Sequence, residues 1–173
     1  MDHNKNLSEL FSKVPEVTLL FWIIKIAATT LGETAGDALS MSLNLGYLLS
    51  TCIFSFIFIG FASIQIKAKA FKPFLYWATI ISTTTLGTTI ADFVDRSLGI
   101  GYFGGSIILL ILLVCSLAIW FYTCGNIAVT SIQTPKTEAF YWLTIMFSQT
   151  LGTALGDWTA DTQGLGYTGA ALI

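Results

Sequence analysis

Thr29-Thr30-Leu31-Gly32-Glu33-Thr34-Ala35-Gly36-Asp37 decides the fold, because versions of it occur twice more in the chain. Thr85-Leu86-Gly87 is followed by Asp92, and Thr150-Leu151-Gly152 by Asp157. Working outward, each copy opens on a tryptophan (Trp22, Trp77 or Trp142) and closes on Gly46-Tyr47, Gly101-Tyr102 or Gly166-Tyr167. Gly36, Ala91 and Gly156 stand directly before the acid, and no copy has a gap inside the unit. Such self-similarity marks an internal repeat, so the chain is read repeat by repeat.

The composition places these repeats in a membrane. Of the 173 residues, 54% are hydrophobic and 10% charged, where soluble domains carry about 25% charged residues. Apolar stretches of membrane-spanning length run through residues 17–31, 45–66, 74–91, 102–122 and 139–156. A net charge of −2 with eight basic residues supplies no basic footprint, which excludes a nucleic-acid partner. Cys52, Cys115 and Cys124 lack metal-ligand spacing and read as membrane-embedded thiols. The polar first fourteen residues lead into a first apolar run with no small-residue cleavage site, so that run reads as a retained anchor.

In chain order, residues 1–14 form a polar cytoplasmic tail in which Leu7, Leu10, Phe11 and Val14 share one helical face, either lying in the membrane interface or frayed. Repeat 1 covers 15–70: one helix from Pro15 to about Leu39, and a second from Gly46-Tyr47 to near Lys67. Repeat 2 covers 71–133, with helices from Pro73 through Asp92 and from Tyr102 to about Thr123. The polar stretch 124–137 reads as a linker. Repeat 3 covers 134–173, with a fifth helix through Asp157 and a sixth begun at Gly166-Tyr167. The fold class expected is therefore an all-α membrane bundle of helical hairpins in parallel repeats, about six helices begun, odd helices inside and even helices outside. Seven residues after Gly166 cannot cross a bilayer that requires about 20, so an incomplete third repeat is expected.

Lys5, Lys13, Lys67, Lys69, Lys72 and Lys136 precede or join repeats, and only Arg96 lies in a connection on the other side. The positive-inside rule makes the amino terminus and inter-repeat loops cytoplasmic. Trp22, Trp77 and Trp142, with Tyr76 and Tyr141, then read as an interfacial aromatic belt.

The small pairs Gly32/Gly36, Gly87/Ala91 and Gly152/Gly156 lie four apart, the spacing that lets helix backbones approach in lipid, and read as packing positions. Thr30, Glu33, Thr34 and Asp37 fall at i, i+3, i+4 and i+7 and form one stripe; Thr85, Thr88, Thr89 and Asp92 form the second, and Thr150, Thr153, Ala154 and Asp157 the third. Charge within hydrocarbon is costly and faces the bundle interior or a wet cavity, which makes Glu33, Asp37, Asp92, Asp157, Thr30, Thr85 and Thr150 candidates for a cation-binding or proton pathway. Their oxygens suit H⁺, Na⁺, Mg²⁺, Mn²⁺ or Ca²⁺ and not soft metals. The bland alternative rests on depth: Asp37 lies about 22 Å beyond Trp22, so the aspartates can instead end the spans at the outer interface. Lys25, about 12 Å below Glu33, either lines the same cavity or snorkels to the cytoplasm.

Two G-x-G-x-x-G matches, at Gly99 to Gly104 and Gly164 to Gly169, fall in turns between membrane helices and follow no strand, which removes dinucleotide binding. Asn6-Leu7-Ser8 is a glycosylation sequon by pattern only, in a tail read as cytoplasmic. The sole histidine, His3, cannot build a triad or a histidine site.

The first phrase, with its looser copies ending at Asp92 and Asp157, resembles a bacterial family of uncharacterised membrane-anchored proteins built from a repeated domain of unknown function. The resemblance covers most of residues 15–173 and implies a compact polytopic protein of about four two-helix repeats, the fourth absent here. Thr88 and Thr153 stand where the first copy has Glu33, so a role for that acid does not transfer to the other copies. The expected function is a small transporter or channel for a hard cation or proton in the bacterial inner membrane, with no cofactor, in contact with the lipid bilayer and a small inorganic cation, and open to forming a homo-oligomer. The competing reading is a non-catalytic scaffold or partner subunit; an enzyme is not expected, since no nucleophile–base pair is apparent.

Overall fold

The computed structural model describes residues 13–128, 132, 134–162 and 166–170. The tail helix expected around Leu7, Leu10 and Phe11, the Asn6-Leu7-Ser8 sequon, Lys5, His3 and Gly164 lie outside these residues. Among the described residues there are six α-helices and no strand: α1 Leu19–Asp37, α2 Tyr47–Lys67, α3 Pro73–Asp92, α4 Gly101–Cys124, α5 Pro135–Asp157 and α6 Gly166–Ala170.

Local chemistry sets the boundaries. Proline stands at the first turn of α3 as expected, but α1 begins at Leu19, four residues after Pro15, because Thr18 caps it and accepts a hydrogen bond from the Phe21 N–H at 3.3 Å. The fifth helix starts inside the stretch read as linker: Thr134 and Thr137 form a reciprocal capping box, with Pro135 just behind. Each odd helix reaches its aspartate and then widens into a five-residue π turn, Ala38–Ser42, Phe93–Ser97 or Trp158–Thr162. Past the turn, Gly46, Gly101 and Gly166 adopt φ of +78°, +76° and +63°, a left-handed conformation that disfavours any side chain. That requirement explains the repeated Gly-Tyr closings.

The helices of one repeat do not pair chiefly with each other. Instead α2 packs on α3 and α4 on α5, so each of these two even helices covers the odd helix of the next repeat. The odd helices lie side by side in the order α1, α3, α5. Equivalent residues of α3 and α5 meet at the same height: Tyr76 and Tyr141 hydroxyls at 2.7 Å, Thr84 with Gln149, and Thr88 with Thr153 at 3.4 Å. Two helices in contact at matched levels along their length run parallel, which is the expected sense of the repeats.

Close approach depends on glycine. A Cβ on Gly32 would lie 2.8 Å from Thr84 Cβ and 2.9 Å from the Ile81 carbonyl; one on Gly87 would lie 2.9 Å from Thr150 Oγ1. A Cβ on Gly36 would lie 3.3 Å from the Thr85 carbonyl and from Thr88 Cβ, and Ala91 packs with Leu109 and Ala154. A Cβ on Gly152 or Gly156, by contrast, would meet nothing outside its own helix within 4 Å.

Helix α3 is the innermost element, with every residue from Ser82 to Thr89 buried. The expected division into inner odd and outer even helices holds for α3 but not for α1. That helix buries only Ala28, Gly32 and Gly36 and leaves Trp22, Ile23, Ile26 and Leu31 more than half exposed, because it meets α3 along one narrow face. The aromatic belt also needs correction: Trp142 is 2% exposed and Tyr76 0%, their tilted rings 5.4 Å apart in a core with Ile80, Trp120 and Tyr141. The three cysteines are free.

Leu19–Ser42, α2 and α4 are each long and apolar enough to cross a membrane and keep most of their apolar side chains on the outside. Exposed apolar surface of that extent on helices of spanning length is the mark of a membrane protein. The 20-residue α3 and 23-residue α5 are of similar length, and their polar side chains are sheltered by neighbouring helices. Gly87→Ala is expected to lower unfolding stability in detergent by about 1–3 kcal/mol through overpacking. Gly152→Ala, in open space, is expected to leave it unchanged or slightly raised, as a thermal melt of the two variants would show.

Candidate functional site

The side-by-side packing brings the three acidic stripes to one place. A cavity of about 370 Å³ is lined by Glu33, Thr34, Asp37 and Met41 of the first repeat, Thr88, Asp92 and Arg96 of the second, and Thr153, Asp157 and Tyr167 of the third. A second cavity, of about 360 Å³, is lined by Thr29, Glu33, Thr84, Gln149, Gly152, Thr153 and Gly156. Glu33 and Thr153 belong to both. Through these two side chains the cavities adjoin in a track from the aspartates to the middle of α3 and α5, polar at the aspartate end and mostly apolar deeper in.

At the aspartate end, Arg96 ties the repeats together. Its Nε lies 3.1 Å from Asp92 Oδ1 and its Nη2 donates to Asp157 Oδ2 at 3.2 Å. Nη1 donates to the Tyr47 hydroxyl at 3.4 Å, and the guanidinium stands 5.9 Å from the centre of the Tyr102 ring. Tyr102 is itself held by a 2.7 Å hydrogen bond to Asp161. Asp92 and Asp157 are buried among protein groups, so neither merely ends a span in solvent. Asp37 is half-buried, Glu33 is exposed toward the cavities, and neither makes an ion pair with a described residue. Asp95 turns away and buries its carboxylate beside Gly105 of α4, where a Cβ would collide with it.

The threonines divide into two groups. Thr85 and Thr150 donate to the carbonyls of Ile81 and Met146 one turn back and sit at the α1–α3 and α3–α5 contacts, off the cavity lining. Thr30 is exposed on α1, also off the lining. The hydroxyls that reach the track are Thr34, Thr88 and Thr153, with Thr29 and Thr84 deeper. Lys25 lines neither cavity. Of the small residues, Gly32, Gly36, Gly87 and Ala91 pack between helices, while Gly152 and Gly156 line the second cavity.

Sequence reasoning passed over Arg96 and Gln149. The Gln149 amide donates to Thr83 Oγ1 at 2.5 Å and accepts from Thr84, closing the inner end of the track. Its signal was available: it occupies the position directly before Thr150, as Thr29 and Thr84 do before Thr30 and Thr85. At the opposite end of the helices, Lys13 pairs with Glu138 at 2.6 Å and donates to the Ile66 carbonyl at 3.0 Å, pinning the chain across the ends of α2 and α5.

The family model described as a repeat of unknown function, DUF347, matches residues 20–71, 75–126 and 140–173. The chain belongs to the DUF347 repeat family. No curated protein and no solved structure matches it. Each of the three DUF347 repeats contributes an aspartate to the first cavity, so the site exists between repeats and not within one.

Asp92→Ala would leave the Arg96 guanidinium short of a buried partner and is expected to cost about 3 kcal/mol of stability. Asp37→Ala, with no ion pair to lose, is expected to stay within about 0.5 kcal/mol. Chemical unfolding of both variants in detergent provides the comparison.

Proposed function

We propose that this protein passes a hard cation or protons across a bacterial inner membrane, with Glu33 as the group every ion must meet. The observation that carries this reading is the shared lining: Glu33 belongs to both cavities, and the four carboxylates of the first come from three repeats. Charged groups inside a helical bundle mark ion or proton routes more often than they mark packing. Among the described residues no group of three or more acidic, histidine or cysteine side chains is set to hold a metal. A cation in this cavity therefore keeps much of its water, which suits passage better than storage. Transport of this kind needs no bond-making chemistry.

Lys67, Lys69, Lys72 and Lys136 stand at one end of the bundle and Arg96 at the other, which supports a cytoplasmic amino terminus. The scaffold reading has one observation in its favour, the open face at Gly152 and Gly156.

Flux into liposomes containing the protein, screened over H⁺, Na⁺, Mg²⁺, Mn²⁺ and Ca²⁺, tests the proposal. Glu33→Gln is expected to remove the flux while leaving the melting temperature unchanged, since Glu33 has no ion pair to lose. Absence of flux for every ion from folded protein would favour the scaffold.

A further inference from the structure

We infer that two copies of this chain associate in the membrane, the Gly152/Gly156 face of α5 in each receiving helix α1 of the other. The inference concerns packing and stands whether or not ions pass. It starts from a contact that the structure makes twice. Gly32 of α1 receives Thr84 of α3, Gly36 receives Thr85 and Thr88, and Gly87 of α3 receives Thr150 of α5. Each time the small face of one odd helix takes the threonine face of the next, and all seven of these residues are buried.

Across α1, α3 and α5 the contact leaves two halves over. Gly152 and Gly156 occupy the positions of Gly32 and Gly36, yet they are exposed, and a Cβ on either would meet nothing outside its own helix within 4 Å. Thr30 occupies the position of Thr85 and Thr150, yet it is exposed where they are buried. Helix α5 therefore has a small face without a threonine face against it, and α1 has the reverse. The two halves do not meet within one chain, because α3 stands between α1 and α5. Both helices border the second cavity, which Thr29 and Glu33 line from α1 and Gln149, Gly152 and Thr153 from α5.

What covers these halves follows from chemistry and direction. Small faces gain their packing energy in lipid from the close approach of another helix backbone. Glu33 is exposed beside the open halves, and a carboxylate left against hydrocarbon is costly. The helix that fits a small face here is one carrying the repeated phrase, and α1 is such a helix with its threonine half free. The odd helices run parallel, so a second copy inserted in the same sense lays its α1 along α5 in the direction the contact requires. A two-fold axis along the membrane normal makes the contact twice and leaves neither half open. By equivalence with Gly36 and Thr88, Gly156 of one copy then lies against Glu33 of the other, so each copy completes the wall of its neighbour's second cavity.

Subunit counting by stepwise photobleaching tests this, with the full chain labelled at its amino terminus and held in liposomes at high dilution. Wild type is compared with Gly152→Leu, Thr30→Leu and Gly60→Leu. Gly60, on α2, also has open space where a Cβ would stand, so Gly60→Leu controls for bulk added elsewhere. Wild type and Gly60→Leu are expected to bleach in two steps. Gly152→Leu and Thr30→Leu are expected to associate at least about tenfold more weakly, the effect of overpacking one close contact, and to bleach mainly in one. Circular dichroism in detergent dilute enough to hold single chains checks the fold, and Thr30→Leu decides the matter should Gly152→Leu fail to fold. Single steps in wild type, with or without retained lipid, would overturn the inference, as would more than two. A dimer that survives either Gly152→Leu or Thr30→Leu in folded protein, or that Gly60→Leu also disrupts, would overturn it too. None of these results bears on the transport reading, which flux through Glu33→Gln decides separately.

Discussion

Everything in this molecule depends on how closely the odd helices approach at their glycines. Gly32 receives Thr84 and the Ile81 carbonyl, and Gly87 receives Thr150, at separations that leave no space for a Cβ. In lipid there is little hydrophobic drive between helices, so such backbone contact is the main source of packing energy. Because the same phrase supplies both sides of the contact, α1, α3 and α5 meet at nearly the same height. Asp37, Asp92 and Asp157 are thereby brought to one cavity from positions far apart in the chain.

The second constraint is polarity in a low-dielectric interior. Helix α3 buries five threonines between residues 83 and 89. Thr83, Thr85 and Thr89 donate to carbonyls three or four residues back, so those hydroxyls are satisfied without a partner helix, while Thr84 donates to Gln149 of α5. Acids cannot donate to a carbonyl when ionised, and the four find other surroundings: Asp92 and Asp157 share Arg96, while Asp37 and Glu33 face a cavity. The difference between these two solutions is what makes the site asymmetric, although the repeats that build it are alike.

Repeat spacing, the parallel sense of the helices and the packing role of Gly32, Gly36, Gly87 and Ala91 were legible in the sequence, because each is a matter of residue type at a fixed interval. The gathering of Glu33 with the three aspartates followed from the same stripe. Arg96 was not legible as a site residue. Its place four residues after Asp92 explains one contact, but the reach to Asp157 requires α5 to stand beside α3 with matched levels. Trp142 misled for a similar reason: α2 and α4 both pack on α5, and α3 adjoins it, so the ring is buried at 2% exposure. Thr85 and Thr150 stand off the track because they sit at the helix contacts, and Thr30 because it is exposed on the outer side of the cavity lining.

The proposed transport requires water to reach from the aspartates past Glu33 to Gln149. Thiol accessibility tests it most directly. In a chain whose three cysteines have been replaced, single variants Glu33→Cys, Thr153→Cys, Gln149→Cys and Ile26→Cys would be treated in liposomes with a membrane-impermeant cationic thiol reagent. Reaction at Glu33→Cys, Thr153→Cys and Gln149→Cys, with none at the outward-facing Ile26→Cys, is the result the account requires. If Thr153→Cys and Gln149→Cys are as unreactive as Ile26→Cys in folded protein, no such track exists and the acids serve assembly alone.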